Sequence, residues 1–182
     1  FCLMKATTNG KLNYIPDCYI SIPGFGNPIT LKSLPDISDG KQASYNSENI
    51  MGRSNPMYTY SHSGDRNISM QLHFFITEEG DALKNLNTLR QLQSALYPRE
   101  GKGGAPYMPP CVCTIKCGNL LSDDPLSVVL QSYSVKFPTE VAWWEGEEGQ
   151  YCPYRFDVDT SWLVVYRSSD LPYANRIFNT GR

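Results

Sequence analysis

Cys111-x-Cys113-x3-Cys117 is the spacing in this chain that most invites a metal, since three thiolates could ligate a zinc-like ion. Strand geometry argues against it. Alternate side chains of an extended strand repeat at roughly 6.5–7 Å, which sets Cys117 about 20 Å from Cys111. One tetrahedral ion cannot gather all three. The same alternation puts Cys111, Cys113, Ile115 and Cys117 on one dry face, where cysteine serves as a small core hydrophobe. His62 and His73 are the two histidines, and neither has a second histidine at ligand spacing. His62 lies in Tyr60-Ser61-His62-Ser63-Gly64-Asp65, which offers hydroxyl, imidazole and carboxylate together. Members of a catalytic triad seldom stand adjacent, however, and the chain has no Gly-x-Ser-x-Gly elbow. Asp157 and Asp159 share a strand face with Arg155 beside them. Paired carboxylates can do acid–base work, but neighbouring charges on a strand more often line a solvated surface. Gly24-Phe25-Gly26 and Gly101-Lys102-Gly103-Gly104 lack the order strand, glycine-rich loop, helix, and neither contains Gly-Lys-Ser/Thr, so both read as turns. Trp143-Trp144 could be a sugar platform or an interface anchor, with one ring in the core and the other exposed. These residues predict a protein without catalysis, cofactor or metal.

The elements that position them are mostly strands. Residues 68–77 have Ile68, Met70, Leu72, Phe74 and Ile76 on one face and mainly polar residues on the other, the pattern of a half-buried strand. Residues 154–166 place Tyr154, Phe156, Val158, Trp162, Val164 and Tyr166 on one face. Their other face begins with Arg155, Asp157, Asp159 and Ser161 and then turns apolar, changing from wet to dry. Residues 111–117 and 128–137 also read as strands, the latter with Tyr133, Val135 and Phe137 on one face. The acidic, glycine-containing segment 145–149 reads as the tip of a hairpin whose long arms are 128–144 and 151–166. Residues 18–22 and 29–34 bracket Pro23-Gly24-Phe25-Gly26-Asn27-Pro28 in the same way.

Helical periodicity occurs once, in Leu83, Leu86, Leu89, Leu92 and Leu96. Glu78, Glu79 and Asp81 suit the positive end of that helix dipole, and Pro98 stops it. Residues 35–64 show no sustained period and read as a loop, unusually long for a mere connection and thus expected to carry function or to pair with a neighbour. A second loop, 98–110, ends in Pro109-Pro110, which suits the start of an edge strand.

At 182 residues the chain is expected to form one domain. It is 41% hydrophobic and 19% charged, against about a quarter charged in typical domains, so it can bury a sizeable core. A net charge of −2 excludes the basic footprint of a dedicated nucleic-acid binder. No window approaches the ~18 apolar residues needed to span a bilayer, and the expectation is a soluble, unprocessed protein with its six cysteines as free thiols in a reducing compartment.

In their order, these pieces resemble the tail-tube fold of contractile phage tails, in particular the baseplate tube-initiator proteins. The resemblance covers residues 58–172. It runs from Tyr60-Ser61-His62-Ser63-Gly64-Asp65-Arg66 into the alternating strand ending Leu72-His73-Phe74-Phe75. It continues through Leu92-Gln93-Ser94-Ala95-Leu96-Tyr97-Pro98, Pro109-Pro110-Cys111-Val112-Cys113 and Gly118-Asn119-Leu120-Leu121. It ends with the hairpin and Pro153-Tyr154-Arg155-Phe156-Asp157-Val158-Asp159-Thr160. Residues 1–57 and the tail 173–182 lie outside it.

The resemblance implies a mainly β (α+β) domain, an antiparallel β-sandwich or barrel with one flanking helix and long interaction loops. It implies no enzyme, but a hexameric ring that joins the baseplate hub to the tail tube, lines the channel for DNA ejection and belongs to the virion after assembly in the host cytoplasm. Duplex phosphates carry one charge per ~1.7 Å, so a lysine-lined pore would hold DNA back. Glu145, Glu147, Glu148, Arg155, Asp157 and Asp159 are therefore the candidate lumen or inter-ring contacts. The rival expectation is a stand-alone β-sandwich that binds carbohydrate or protein through exposed Trp and Tyr residues.

Overall fold

The computed structural model describes residues 18–78, 80–100, 107–146, 151–167 and 171, with only the backbone of residue 100. Expectations placed on Cys2, Glu79, Gly101-Lys102-Gly103-Gly104, Glu147, Glu148 and the tail 173–182 lie outside these residues.

Alternation decides which strands form the core. Strand β4 (Met57–Phe75) buries Ile68, Met70, Leu72 and Phe74, and β11 (Arg155–Val164) buries Phe156, Val158, Thr160, Trp162 and Val164. The two pair antiparallel with Val158 opposite Leu72 and Trp162 opposite Ile68, so both dry sets fall on one side of the sheet. Phe74 and Phe156 stack with ring centroids 5.0 Å apart. The single buried hydroxyl of this layer is satisfied: Trp162 Nε1–H donates to Thr160 Oγ1 at 2.8 Å, and Thr160 donates on to the Met70 carbonyl at 2.9 Å.

Strand β8 (Leu126–Lys136) flanks β11 on its other side. Ser132 lies opposite Ser161 but Leu130 lies opposite Trp162, leaving Gln131 as a bulge. Val128 and Leu130 are thus inward at even positions, whereas Tyr133 and Val135 are inward at odd ones. Next come β7 (Cys113–Cys117), β1 (Cys18–Ser21) and β2 (Ile29–Thr30), while β3 (Asp36–Glu48) forms the opposite edge beyond β4. The sheet order is β2-β1-β7-β8-β11-β4-β3, and its neighbouring strands run antiparallel. Cys113, Ile115 and Cys117 are buried as their alternation requires, and Cys111 just before the strand is buried too. Pro110 does not introduce an edge strand, however, because β7 is held between β1 and β8.

One helix, α1 (Asp81–Ser94), lies against this layer and inserts Ala82, Leu89 and Leu92 into the core. Leu83, on its predicted apolar stripe, is largely exposed. Two short ribbons complete the described elements: β5 (Arg99–Glu100) with β6 (Tyr107–Met108), and β9 (Trp143–Glu145) with β10 (Tyr151–Pro153). The second ribbon extends the β8–β11 hairpin towards the expected tip. Trp143 is exposed and Trp144 packs against the core, as their opposed directions require.

The mainly β, antiparallel architecture with one flanking helix is therefore present, drawing strands from both sides of residue 58. Among the described residues the barrel is not closed: β2 and β3 remain separate edges, and the core is covered by α1 and by residues such as Leu31, Leu121 and Cys152. The largest departure from expectation is at residues 35–64. This is not an irregular loop but an antiparallel hairpin, β3 with the first half of β4. Between residues 40 and 63 every side chain is exposed except those of Ser44 and Pro56, which are half-buried. Two β4 bulges shape this arm, at Gly64-Asp65 and at Ser61. At the first, a Cβ on Gly64 would stand 3.3 Å from the Gln42 carbonyl oxygen, a close approach that favours glycine.

Candidate functional site

The side of the sheet facing away from the core is a polar wall. Along β11 it carries Arg155, Asp157, Asp159 and Ser161, flanked on β4 by His73, Gln71 and Ser69 and on β8 by Lys136, Ser134 and Ser132. Register brings charges together that are remote in sequence. Asp157 lies opposite both His73 and Lys136, and Asp159 lies between Gln71 and Ser134.

Side chains complete the ladder. His73 Nδ1 lies 2.6 Å from Asp157 Oδ1, and its Nε2 lies 3.5 Å from Asp36 Oδ2 on the edge strand. Lys136 Nζ reaches Asp159 Oδ2 at 2.9 Å, and the hydrogen bond it donates to that carboxylate raises the lysine pKa above its ordinary value. Arg155 stands 3.7 Å from Asp157 and lays its guanidinium 5.5 Å from the centre of the Phe75 ring. Three carboxylates thus face two permanent cations and one histidine. At its centre the wall dips into a shallow trough of about 520 Å³ that includes Ser38, Ser69, Gln71, Ser134, Asp159 and Ser161. Serine hydroxyls and the Gln71 amide share its lining with Ile37, Met70 and Tyr133.

Of the residues singled out from sequence, Arg155, Asp157 and Asp159 come together in this row. They are ion-paired there rather than presented as free negative charge. Glu145 stands apart on the β9–β10 ribbon, where its carboxylate accepts a hydrogen bond from the Tyr151 hydroxyl at 2.9 Å. Glu147 and Glu148 lie outside the described residues. No family model matches the chain, and no curated protein matches its sequence.

The hydroxyl–imidazole–carboxylate run around His62 lies on the solvent-exposed part of β4. Ser61 Oγ lies 3.1 Å from His62 Nδ1 on the exposed arm, and Tyr60 donates to Ser63 at 3.0 Å. Among the described residues, no three of His, Cys, Asp and Glu stand close enough to hold a metal ion. No described helix is long and apolar enough to cross a membrane.

Sequence reading missed the partners that register supplies. His73, Lys136 and Asp36 join the Asp157–Asp159 row only because four strands align, and single-strand periodicity carries no sign of it. It also missed the aromatic side of the arm. Tyr45 and Tyr60 face each other across the β3–β4 pair with centroids 5.7 Å apart and planes at 71°, and Tyr58 lies exposed beside them. Ile50, Met51 and Met57 are exposed towards the tip.

Proposed function

We propose that this chain is a ring-forming structural subunit, a tube-initiator that joins baseplate to tail tube in a contractile phage tail, with its polar sheet face bordering the channel for DNA and no catalytic role. The observation that carries the reading is the β3–β4 arm. An isolated two-stranded hairpin is marginally stable in water, yet this one extends beyond the core with both faces exposed and with tyrosines and methionines on its surface. Such an arm gains stability when a second copy covers it. The open sheet supports the same reading, because among the described residues β3 is paired on one side only, and strand addition from a neighbour would satisfy backbone groups on the other. Head-to-tail contacts of this kind close into rings when the rotation between copies allows it. A wall of serines, glutamine and nearly balanced charges suits a channel through which DNA must slide, since it offers few uncompensated cations to phosphate.

Native mass spectrometry and negative-stain microscopy of the purified chain test the proposal. Six-fold rings or stacked rings are expected, and Tyr45→Asp with Tyr60→Asp should abolish them. A wild-type chain that stays monomeric at all accessible concentrations overturns it. The exposed aromatic group around Phe137 and Trp143, ring centroids 6.5 Å apart, supports the alternative of a carbohydrate-binding module. That alternative is favoured if the monomer melts higher with added oligosaccharide.

A further inference from the structure

Two cysteines that are 99 positions apart in sequence meet at the end of the β1–β7 ladder. Cys18 opens β1, Cys117 closes β7, and the two lie directly opposite each other. Both are buried, and their sulfurs stand 3.1 Å apart. A disulfide requires the sulfurs to approach by only about 1 Å more, within reach of small side-chain rotations and a slight narrowing of the strand pair. We propose that Cys18 and Cys117 form a redox-active thiol pair that closes into an inter-strand disulfide on meeting a peroxide, tying the β1–β2 hairpin covalently to the sheet.

The chemistry balances with hydrogen peroxide as the oxidant. The Cys117 sulfur attacks one peroxide oxygen, the O–O bond breaks, and the other oxygen leaves as water with the thiol proton. Cys117 is then a sulfenic acid. The Cys18 sulfur attacks that sulfur, an S–S bond replaces the S–O bond, and the hydroxyl departs as water with the Cys18 proton. Two thiols and one peroxide become one disulfide and two waters.

The order of events follows from the hydrogen bond inside the pair. Cys18 S–H donates to the Cys117 sulfur, which lowers the Cys117 pKa and, with burial, raises that of Cys18. Burial raises the thiols that lack such a donor: Cys113 is pushed up to about 12 and Cys152 is also raised. Cys117 is accordingly the preferred nucleophile. Cys111 and Cys113 sulfurs are 3.8 Å apart, but a bond between them would have to close a tight ring within three residues of chain. Position also favours the Cys18–Cys117 pair. It sits at a ladder end beside the two-residue strand β2, where end-fraying admits a small oxidant to groups that are covered on average.

The test treats the full reduced chain with hydrogen peroxide, alkylates the remaining thiols and digests it without reductant. One linked peptide pair containing Cys18 and Cys117, lighter by two hydrogens, is expected. Tm should rise on the order of 10 °C, as closing so long a loop implies, and dithiothreitol should reverse it. Cys18→Ala and Cys117→Ser should each lose the peroxide-dependent rise, and Cys152→Ser should keep it. The proposal falls if Cys18 and Cys117 stay alkylatable while other thiols link, or if the linked protein melts no higher. The wild-type comparison needs no variant to fold. It reads a single chain, so its result is separate from whether copies assemble into rings.

Discussion

Asp81 sits at the first position of α1 and is nearly fully buried, where a carboxyl group would ordinarily resist ionisation. Burial does push its pKa up, but the opposing interactions are stronger. One oxygen, Oδ2, accepts from Lys32 Nζ at 2.5 Å, Thr77 Oγ1 at 2.9 Å, Thr77 N–H at 3.1 Å and Glu78 N–H at 2.9 Å. The carboxylate is held well below the usual range, so it stays charged in the fold at pH values where the unfolded chain has taken up a proton. Stability from this group is therefore complete above the unfolded value of about 3.9 and is lost as pH falls below it. Asp81→Asn should cost on the order of 2 kcal/mol at pH 7, because a neutral amide replaces the charged acceptor of the mostly buried Lys32 ammonium. Urea melts of both proteins at pH 7, 4 and 3 check the sign: the gap should stay constant down to about pH 4 and then narrow by up to about 1.4 kcal/mol per unit. A gap that does not change with pH would assign the effect to packing instead.

At the scale of elements, legibility in the sequence tracks how regular the pleat is. β4 from Ile68 onward and β11 were readable because one face is buried without interruption and the alternation is unbroken. β8 was readable as a strand, but its inward face was not, because the Gln131 bulge moves the buried set from even to odd positions. The arm escaped altogether. Its faces are both exposed, so no apolar period arises, and its two bulges shift register twice within six residues. The Asp157–His73–Lys136 row was invisible for another reason, since it depends on three strands lying side by side. Arg66 marks where sheet ends and arm begins: it grips Asp39 through Nε at 2.9 Å and Nη2 at 2.5 Å, and Nη2 also reaches the Leu121 carbonyl at 2.9 Å. Beyond it the arm should open independently of the core. Tyr60→Ser removes the edge-to-face contact with Tyr45, worth roughly 0.5–1.5 kcal/mol. Hydrogen exchange should then accelerate at amides 44–60 while amides 68–75 are unchanged. Equal acceleration in both segments would mean that arm and sheet unfold as one unit.

For the whole molecule, the consequential property is how each face of the sheet relates to its surroundings. One face is dry and fully used by the core, so a further subunit cannot pack there without unfolding this one. The other is polar and nearly neutral, and in the proposed ring the edges and arm are what neighbouring copies would meet. In a ring of copies, the balance of Asp157 and Asp159 against Arg155 and Lys136 would be repeated around the hole, so a small change per chain becomes a large change per ring. Asp157→Lys with Asp159→Lys removes two negative charges and adds two positive ones per copy, leaving Arg155 and Lys136 uncompensated. Such a wall should hold duplex DNA, with log K falling against log salt by about 0.9 for every phosphate neutralised. Wild-type rings should show no measurable duplex affinity near 0.15 M salt. The substituted rings should bind, and should release the duplex steeply as salt is raised. Fluorescence anisotropy of a labelled duplex across a salt series distinguishes the cases, with ring integrity followed by microscopy on the same samples. If intact wild-type rings bind duplex tightly, or if charge reversal leaves affinity unchanged, the polar wall does not face the channel.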